Sequence, residues 1–254
     1  MKTTTNIAVD IGNTAIKLAL TTAGNLHEKS LSLLERDWQI SAARWAVSRS
    51  DEQQLAWHIA SVHPQAAETL MDHLSTIHPA SDVHLITWRD VPMEPKVDEP
   101  DRLGIDRLIS AYAATLQFEP PLIIVDAGSA ITVDFVAAEG TFQGGAILPG
   151  LSMQFASLAK GTASLPLLDV VSRKPRYPAK NTQDAMFSGV LAAATAAIDL
   201  LITKYCTHAD IASKDVPVVL TGGDAPIVSL QLQHNHERID NLVCRGLLRL
   251  QSSN

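Results

Sequence analysis

The stretch Ile7-Ala8-Val9-Asp10-Ile11-Gly12-Asn13-Thr14-Ala15-Ile16-Lys17 decides how the rest of the chain is read. An apolar run enters it, and Ile16, Leu18 and Leu20 resume a two-residue alternation beyond it. That pattern predicts two strands joined by a tight polar turn. Gly12 has no Cβ, so backbone N–H groups there can come close to an anion. Asn13 and Thr14 add side-chain donors, and Lys17 a positive charge. A carboxylate repels phosphate, so Asp10 fits such a turn if a magnesium ion or a polarised water lies between them. A plain β-hairpin with a turn glycine has the same local pattern. The turn therefore gains meaning only from the rest of the chain.

The run Leu122-Ile123-Ile124-Val125-Asp126-Ala127-Gly128-Ser129-Ala130-Ile131-Thr132-Val133-Asp134 repeats it. Ile7 matches Ile123, Val9 matches Val125, Asp10 matches Asp126, Gly12 matches Gly128 and Gly24 matches Gly140, all by one offset. A fixed offset over five positions favours duplication of one unit, namely strand, Asp-x-Gly turn, strand, turn and strand. A third glycine pair, Gly222-Gly223, ends the apolar strand Val216 to Leu220 and opens a short helix. Two Asp-x-Gly turns and a glycine pair suit a polyphosphate and a flat base held at close range.

Between these landmarks the periodicity predicts a strand near residues 26–33 and a helix over 38–48. A strand over 54–62, a helix over 64–77 with Pro64 in its first turn, and a strand over 83–87 follow. Three prolines make residues 92–100 a loop. Ile105, Leu108, Ile109, Tyr112, Ala113 and Leu116 form one face of a helix within 101–118, with Asp101, Arg102, Asp106 and Arg107 at its start. Gly144 to Gly150 reads as turn-rich, and Leu151, Phe155 and Leu158 as one helical face. Residues 162–178 read as loop. Asn181-Thr182 caps an alanine-rich helix over 183–205, and a last helix covers 241–250. Asp134 reads equally as a strand-end charge or a site residue, His234-Asn235-His236 as an exposed loop, and Trp38, Trp45, Trp57 and Trp88 as core. The boundary between halves falls in the proline-bearing region, giving 1–100 and 101–254.

Composition narrows the function classes. Charged residues at 19% and hydrophobic ones at 46% are ordinary for a globular chain with a substantial core. A net charge of −7 argues against nucleic acid held on a general basic surface. Cys206 and Cys244 fit no metal spacing and read as reduced thiols. The apolar stretch between Asp184 and Asp199 reads as too short to span a bilayer, which takes roughly 20 residues. The expectation is a cytoplasmic protein with no membrane partner.

In its two duplicated α/β halves, two phosphate turns and a third glycine loop, the sequence resembles the actin-like ATPase (ribonuclease H-like) superfamily. That resemblance implies a nucleotide cleft between the halves. A narrower likeness runs in order along nearly the whole chain. Asp10 to Lys17, Pro100 to Arg107, Asp126 to Asp134, Gly144 to Gly150, Thr162 to Pro166, Asn181-Thr182 and Thr221 to Gly223 resemble the motifs of type III pantothenate kinases. The likeness implies transfer of the γ-phosphoryl group of ATP to the primary hydroxyl of pantothenate, the first step toward coenzyme A. It implies that Asp10, Ile11, Gly12, Asn13, Thr14, Ala15, Ile16, Lys17 and Ser129 bind ATP, with Asp10 near magnesium. It further implies that Asp106 is the general base, that Gly104, Ile105, Asp106, Arg107 and Thr182 hold pantothenate, and that Asp126 holds a monovalent cation, potassium or ammonium. A homodimer is implied as well. The chemistry is consistent with this, because phosphoryl transfer needs mainly positioning and charge neutralisation. Ser129 stands where the family usually has threonine, and Val97 where it often has tyrosine.

Two other readings share the scaffold. One is a kinase for another small hydroxyl acceptor, which Val97 supports. The other is a non-catalytic regulator, against which Asp10, Asp106, Arg107 and Asp126 all argue.

Overall fold

The computed structural model describes residues 4–50, 54–171 and 173–252. Ten strands form two five-stranded sheets, accompanied by seven α-helices among the described residues. The first sheet comprises β1 (Thr4–Ile11), β2 (Ala15–Thr22), β3 (Asn25–Ser32), β4 (Gln54–Ser61) and β5 (Asp82–Leu85) in the order β3-β2-β1-β4-β5. The second comprises β6 (Leu122–Ala127), β7 (Ala130–Val136), β8 (Phe142–Pro149), β9 (Val218–Thr221) and β10 (Glu237–Arg238) in the order β10-β9-β6-β7-β8. In both, an antiparallel three-stranded meander continues through parallel strands. The two sheets therefore have one topology, as duplication requires. Gly24 and Gly140, matched in the sequence, both take left-handed backbone, with φ of 80° and 81°.

In each sheet one face carries the main hydrophobic core under helices. Ile7, Val9 and Ile11 alternate inward on β1 and meet Leu18, Trp57 and Ile59. This layer packs against α1 (Trp38–Arg49) through Trp38, Ala42 and Ala46, and against α2 (Pro64–Ile77) through Leu70 and Leu74. Trp57 is fully buried, and truncating so large a core side chain typically costs about 3–5 kcal/mol. In the second sheet Ile123, Val125, Val133 and Leu220 meet α4 (Leu151–Gly161), α5 (Thr182–His208) and the short α6 (Ala225–Val228). Asn181 caps α5, its side-chain oxygen accepting the Asp184 N–H at 2.8 Å.

The chain forms two compact units that a single cut at residue 100 does not describe. The first takes in residues up to Glu94, Asp98–Ala113 and Asn241 onward; the second takes Pro95–Val97 and Ala114–Asp240. Thus α3 (Ile105–Thr115) and the C-terminal α7 (Leu242–Ser252) both complete the first unit. α7 packs on β1, β2 and β4. It meets α3 at Gly246, where a Cβ would come within 2.7 Å of the Ile109 side chain.

Several local expectations need correcting. Gly144 to Pro149 lie in strand β8 instead of a series of turns. The backbone of Gly145 lies so close to the Val133 carbonyl that a Cβ would collide with it, which explains a glycine inside a strand. α5 runs 27 residues and has the length and mean hydropathy (1.9) to cross a membrane, so the apolar stretch is longer than its charges suggested. Half of its most apolar window is nevertheless buried, with Phe187, Leu191, Ile198 and Ile202 in the second core, as a central helix requires. Leu116 lies beyond α3 and is exposed. Trp88 is only half-buried, its indole N–H donating to Asp101 at 2.8 Å. His234 and His236 are partly buried and bonded, to Asp199 at 2.7 Å and Ser229 at 2.7 Å respectively. Asp134 is buried within β7 and is no strand-end charge.

Candidate active site

The predicted site residues fall into two groups, one in each unit. In the first, Asp10 is buried one residue before the end of β1 and faces Lys17 across the hairpin. Gly12 to Ala15 close the turn, the Gly12 N–H donating to the Ala15 carbonyl at 3.0 Å. Behind the turn, Cys244 of α7 lies against the Lys17 carbonyl at 3.5 Å. Burial, together with the nearby Asp10 carboxylate, holds that thiol well above its usual range.

Gly104, Ile105, Asp106 and Arg107 form the entry and first turn of α3, in the same unit. Ile105 points into the core, whereas Asp106 and Arg107 stay partly accessible. Burial raises the Asp106 pKa; the Arg107 backbone N–H, donated at 2.8 Å, and the Arg107 and Lys17 charges oppose it without cancelling it. A desolvated carboxylate within electrostatic reach of Lys17 is both more basic than a surface aspartate and close to the first turn's charge. Gly104 is what lets it sit there, because a Cβ at that position would come within 2.7 Å of the Asp106 Oδ1.

In the second unit the corresponding turn is one residue shorter, closed by the Gly128 N–H on the Ala130 carbonyl at 3.1 Å. The residue facing Asp126 across the hairpin is therefore Thr132, where Asp10 has Lys17. On its other side Asp126 is paired with Thr221 of β9. Directly opposed residues on neighbouring strands share a face, so Asp126 stands between two threonines. The Thr132 Oγ1 is buried and has no hydrogen-bond partner. Among the described residues no three His, Cys, Asp or Glu side chains converge as a metal cluster. Ser129 lies in the turn, and Thr182 is the exposed first residue of α5.

The loop after β9 is tied to this second turn. The Asp224 N–H donates to the Ala127 carbonyl at 2.8 Å. Gly222 adopts φ of 98° and lies so close to Ala127 that any Cβ would strike its carbonyl. Thr132 and Asp224 were not singled out in the sequence as site residues. Alternation from Asp134 puts Thr132 on the same sheet face, which was a usable signal; Asp224 had only its place after the glycine pair.

Residues 6–204 match the family model for type III pantothenate kinase. The chain is 38% identical to a type III pantothenate kinase of Rhodopirellula baltica, over 96% of this chain and 97% of that one. The chain belongs to the type III pantothenate kinase family. A second member of that family, from Herminiimonas arsenicoxydans, is 31% identical, with 95% of each chain covered. Among solved structures, one described as a conserved putative Baf family transcriptional activator from Campylobacter jejuni superposes with a TM-score of 0.53, at 21% identity and with 98% of each chain covered. At that identity the likeness shows the fold alone.

Two cavities of about 240 and 370 Å³ lie beside α1 and α2 and share Val47, Ile77 and His78. No predicted site residue of this pantothenate kinase family member lines either one.

Proposed function

We propose that the protein catalyses transfer of the γ-phosphoryl group of ATP to the primary hydroxyl of pantothenate. Family membership supports the reaction class, and the Asp106 carboxylate is the observation that carries the residue assignment. It is desolvated, held more basic than usual, and close enough to Lys17 to feel its charge. Such a group suits removal of a proton from an attacking alcohol, because basicity nearer neutral pH favours general-base transfer. Lys17, Asn13 and Thr14 offer donors to the phosphates, and Ser129 adds one from the second turn. Arg107 supplies a planar fork suited to a carboxylate or a phosphoryl oxygen. Gly104, Ile105 and Thr182 complete the acceptor contacts.

Magnesium would accompany ATP, with Asp10 the carboxylate proposed to lie near it. Asp126 is the residue proposed to hold a monovalent cation, potassium or ammonium: the Thr132 Oγ1 opposite it is a buried hydroxyl without a hydrogen-bond partner, and the two side chains supply oxygen donors. Such a cation would supply positive charge beside the second turn. Asp126 and Thr132 would hold it, while the proton is removed by Asp106.

A second copy of the chain is the expected partner. β3 and β8 are the equivalent edge strands of the two sheets. β3 carries Glu28 and Lys29, whereas β8 carries no charged residue and leaves Ile147 63% exposed. Edges are ordinarily protected by charge or by cover, so this contrast supports a homodimer. The free thiols Cys206 and Cys244 support a cytoplasmic setting.

The test is a coupled assay of ADP release with pantothenate, ATP and magnesium, with and without potassium. Phosphorylation of pantothenate that rises with potassium is the expected result. Turnover only with a different hydroxyl acceptor would overturn the substrate assignment.

A further inference from the structure

Outside the residues assigned above, one pair of side chains has the geometry of a nucleophile and its base. Ser229 follows α6, and its Oγ lies 2.7 Å from Nε2 of His236. The other ring nitrogen, Nδ1, lies 2.8 Å from the His234 carbonyl. A carbonyl oxygen can only accept, so Nδ1 carries the proton and donates it there. In the neutral ring Nε2 then holds the lone pair, and the Ser229 O–H donates to it. The tautomer is thus fixed in the form that can take a proton from the serine.

The carbonyl that orients the ring is itself held. Asp199 of α5 accepts the His234 backbone N–H at 3.2 Å, the His234 Nδ1–H at 2.7 Å and the Gln233 backbone N–H at 3.1 Å. Leu232 is buried in the second core, and the Ser229 N–H donates to the Ala225 carbonyl at 2.9 Å. Both ends of the pair are therefore anchored to packed elements, while Ser229 and His236 stay partly accessible. Hydroxyl, imidazole and an orienting acceptor, in that order, are the parts that activate a serine.

The backbone around the pair limits what it can do. The N–H groups of Leu230, Gln231 and Leu232 all donate to carbonyls of α6. The residues after the serine therefore offer no donor to a developing oxyanion, so the serine is activated without support for turnover. The charged group built into the network is the Asp199 carboxylate. It disfavours an anionic phosphoryl donor and leaves an uncharged acyl carbonyl as the matching electrophile.

We infer that Ser229 is a modification site, which takes one acyl group from an activated ester with His236 as the base. The Ser229 oxygen bonds to the acyl carbon, and the bond from that carbon to the leaving oxygen of the ester breaks. The serine proton passes through His236 Nε2 to the leaving group. No residue assigned to ATP, the acceptor or the cation takes part.

The experiment is treatment of the full chain with p-nitrophenyl acetate, on wild type, Ser229→Ala and His236→Gln. Nitrophenolate release gives the rate, and peptide mass spectrometry places the acetyl group. Wild type should show a burst of about one equivalent per chain and carry the acetyl group on Ser229. Ser229→Ala should lose the burst. His236→Gln should slow it by about 100-fold or more, the contribution expected of a general base. Acetyl groups found only on lysines, a burst kept by Ser229→Ala, or an unchanged rate in His236→Gln would overturn the inference. The position of the acetyl group in wild type decides the matter even where a variant fails to fold.

Discussion

The two Asp-x-Gly turns sit on the same scaffold and are provisioned differently. The first spans Gly12 to Ala15 and sets Lys17 opposite Asp10; the second spans Gly128 to Ala130 and sets Thr132 opposite Asp126. One residue of turn length thus exchanges an ammonium group for a hydroxyl at the equivalent ladder position. The first turn carries its own counter-charge, and the unit around it carries Asp106. The second turn sets a carboxylate opposite an orphaned hydroxyl, the pair proposed above to hold a cation. Duplication therefore provides two copies of a shape, and the loop lengths divide the chemistry between them.

The largest expected effect comes from removing the acid of the first unit. Asp106→Asn should lower kcat by about 10²–10⁴-fold, the usual range for a lost general base, while calorimetry finds ATP binding kept. Full turnover in that variant would end the division of labour. Because burial raises the Asp106 pKa in the free protein, the acid limb of kcat/KM against pH should lie above the ordinary aspartate range. Activity should fall as the pH drops through that raised value, since the protonated acid cannot accept the proton. Gly104→Ala is gentler. Its Cβ meets only the end of the Asp106 side chain, so the melting temperature should scarcely move while kcat drops by up to about 100-fold through misplacement of the base.

Exchanging the provisions of the turns sharpens the comparison next. Thr132→Lys gives the second turn the first turn's ammonium. Potassium should then stimulate the enzyme little or not at all, as read by initial rates across a potassium titration. Thr132→Val deletes the unpartnered hydroxyl, and half-maximal activation should need several-fold more potassium. Thermal stability should hold or rise, because an orphaned buried hydroxyl costs about 1–3 kcal/mol. Unchanged potassium response in both variants would show that the second turn holds no cation.

The smallest effect is on stability. His58 is buried in β4, stacked on His84 at 5.5 Å, with Nε2 bonded to Asn6 at 2.9 Å. Burial, and secondarily His84, lowers its pKa to about 4 from 6.5. The unfolded chain therefore binds this proton more readily, and stability present above pH 6.5 is lost as the pH falls toward 4. The loss from this one group amounts to about 3 kcal/mol at most. His58→Gln should flatten that pH dependence in thermal melts.

Much of this was legible in the sequence because it rests on short-range rules. Alternation located β1, β2, β6 and β7, and Pro64 and Asn181 marked helix starts that the structure has at or beside those residues. The fixed offset disclosed the duplicated sheets. What escaped were consequences of register and of distant packing. The equal offsets at Gly12 and Gly24 hide the shortened second turn, because an extra residue in the β7–β8 loop restores the count before Gly140. Hence Thr132, not its neighbour, faces Asp126. Gly145 resembles a turn residue until its strand neighbour is known. The placement of α3 and α7 depends on contacts such as Gly246 with Ile109, between residues too far apart for any local pattern.

The return of α7 to the first unit has a consequence for how the molecule is made. Residues 114–240 leave the ribosome before the helix that backs Lys17 exists, so the later-coded unit has all its parts while the earlier one still lacks a wall. Vectorial synthesis, which usually lets the leading domain mature first, here runs in reverse, and the first unit is completed only when α7 arrives.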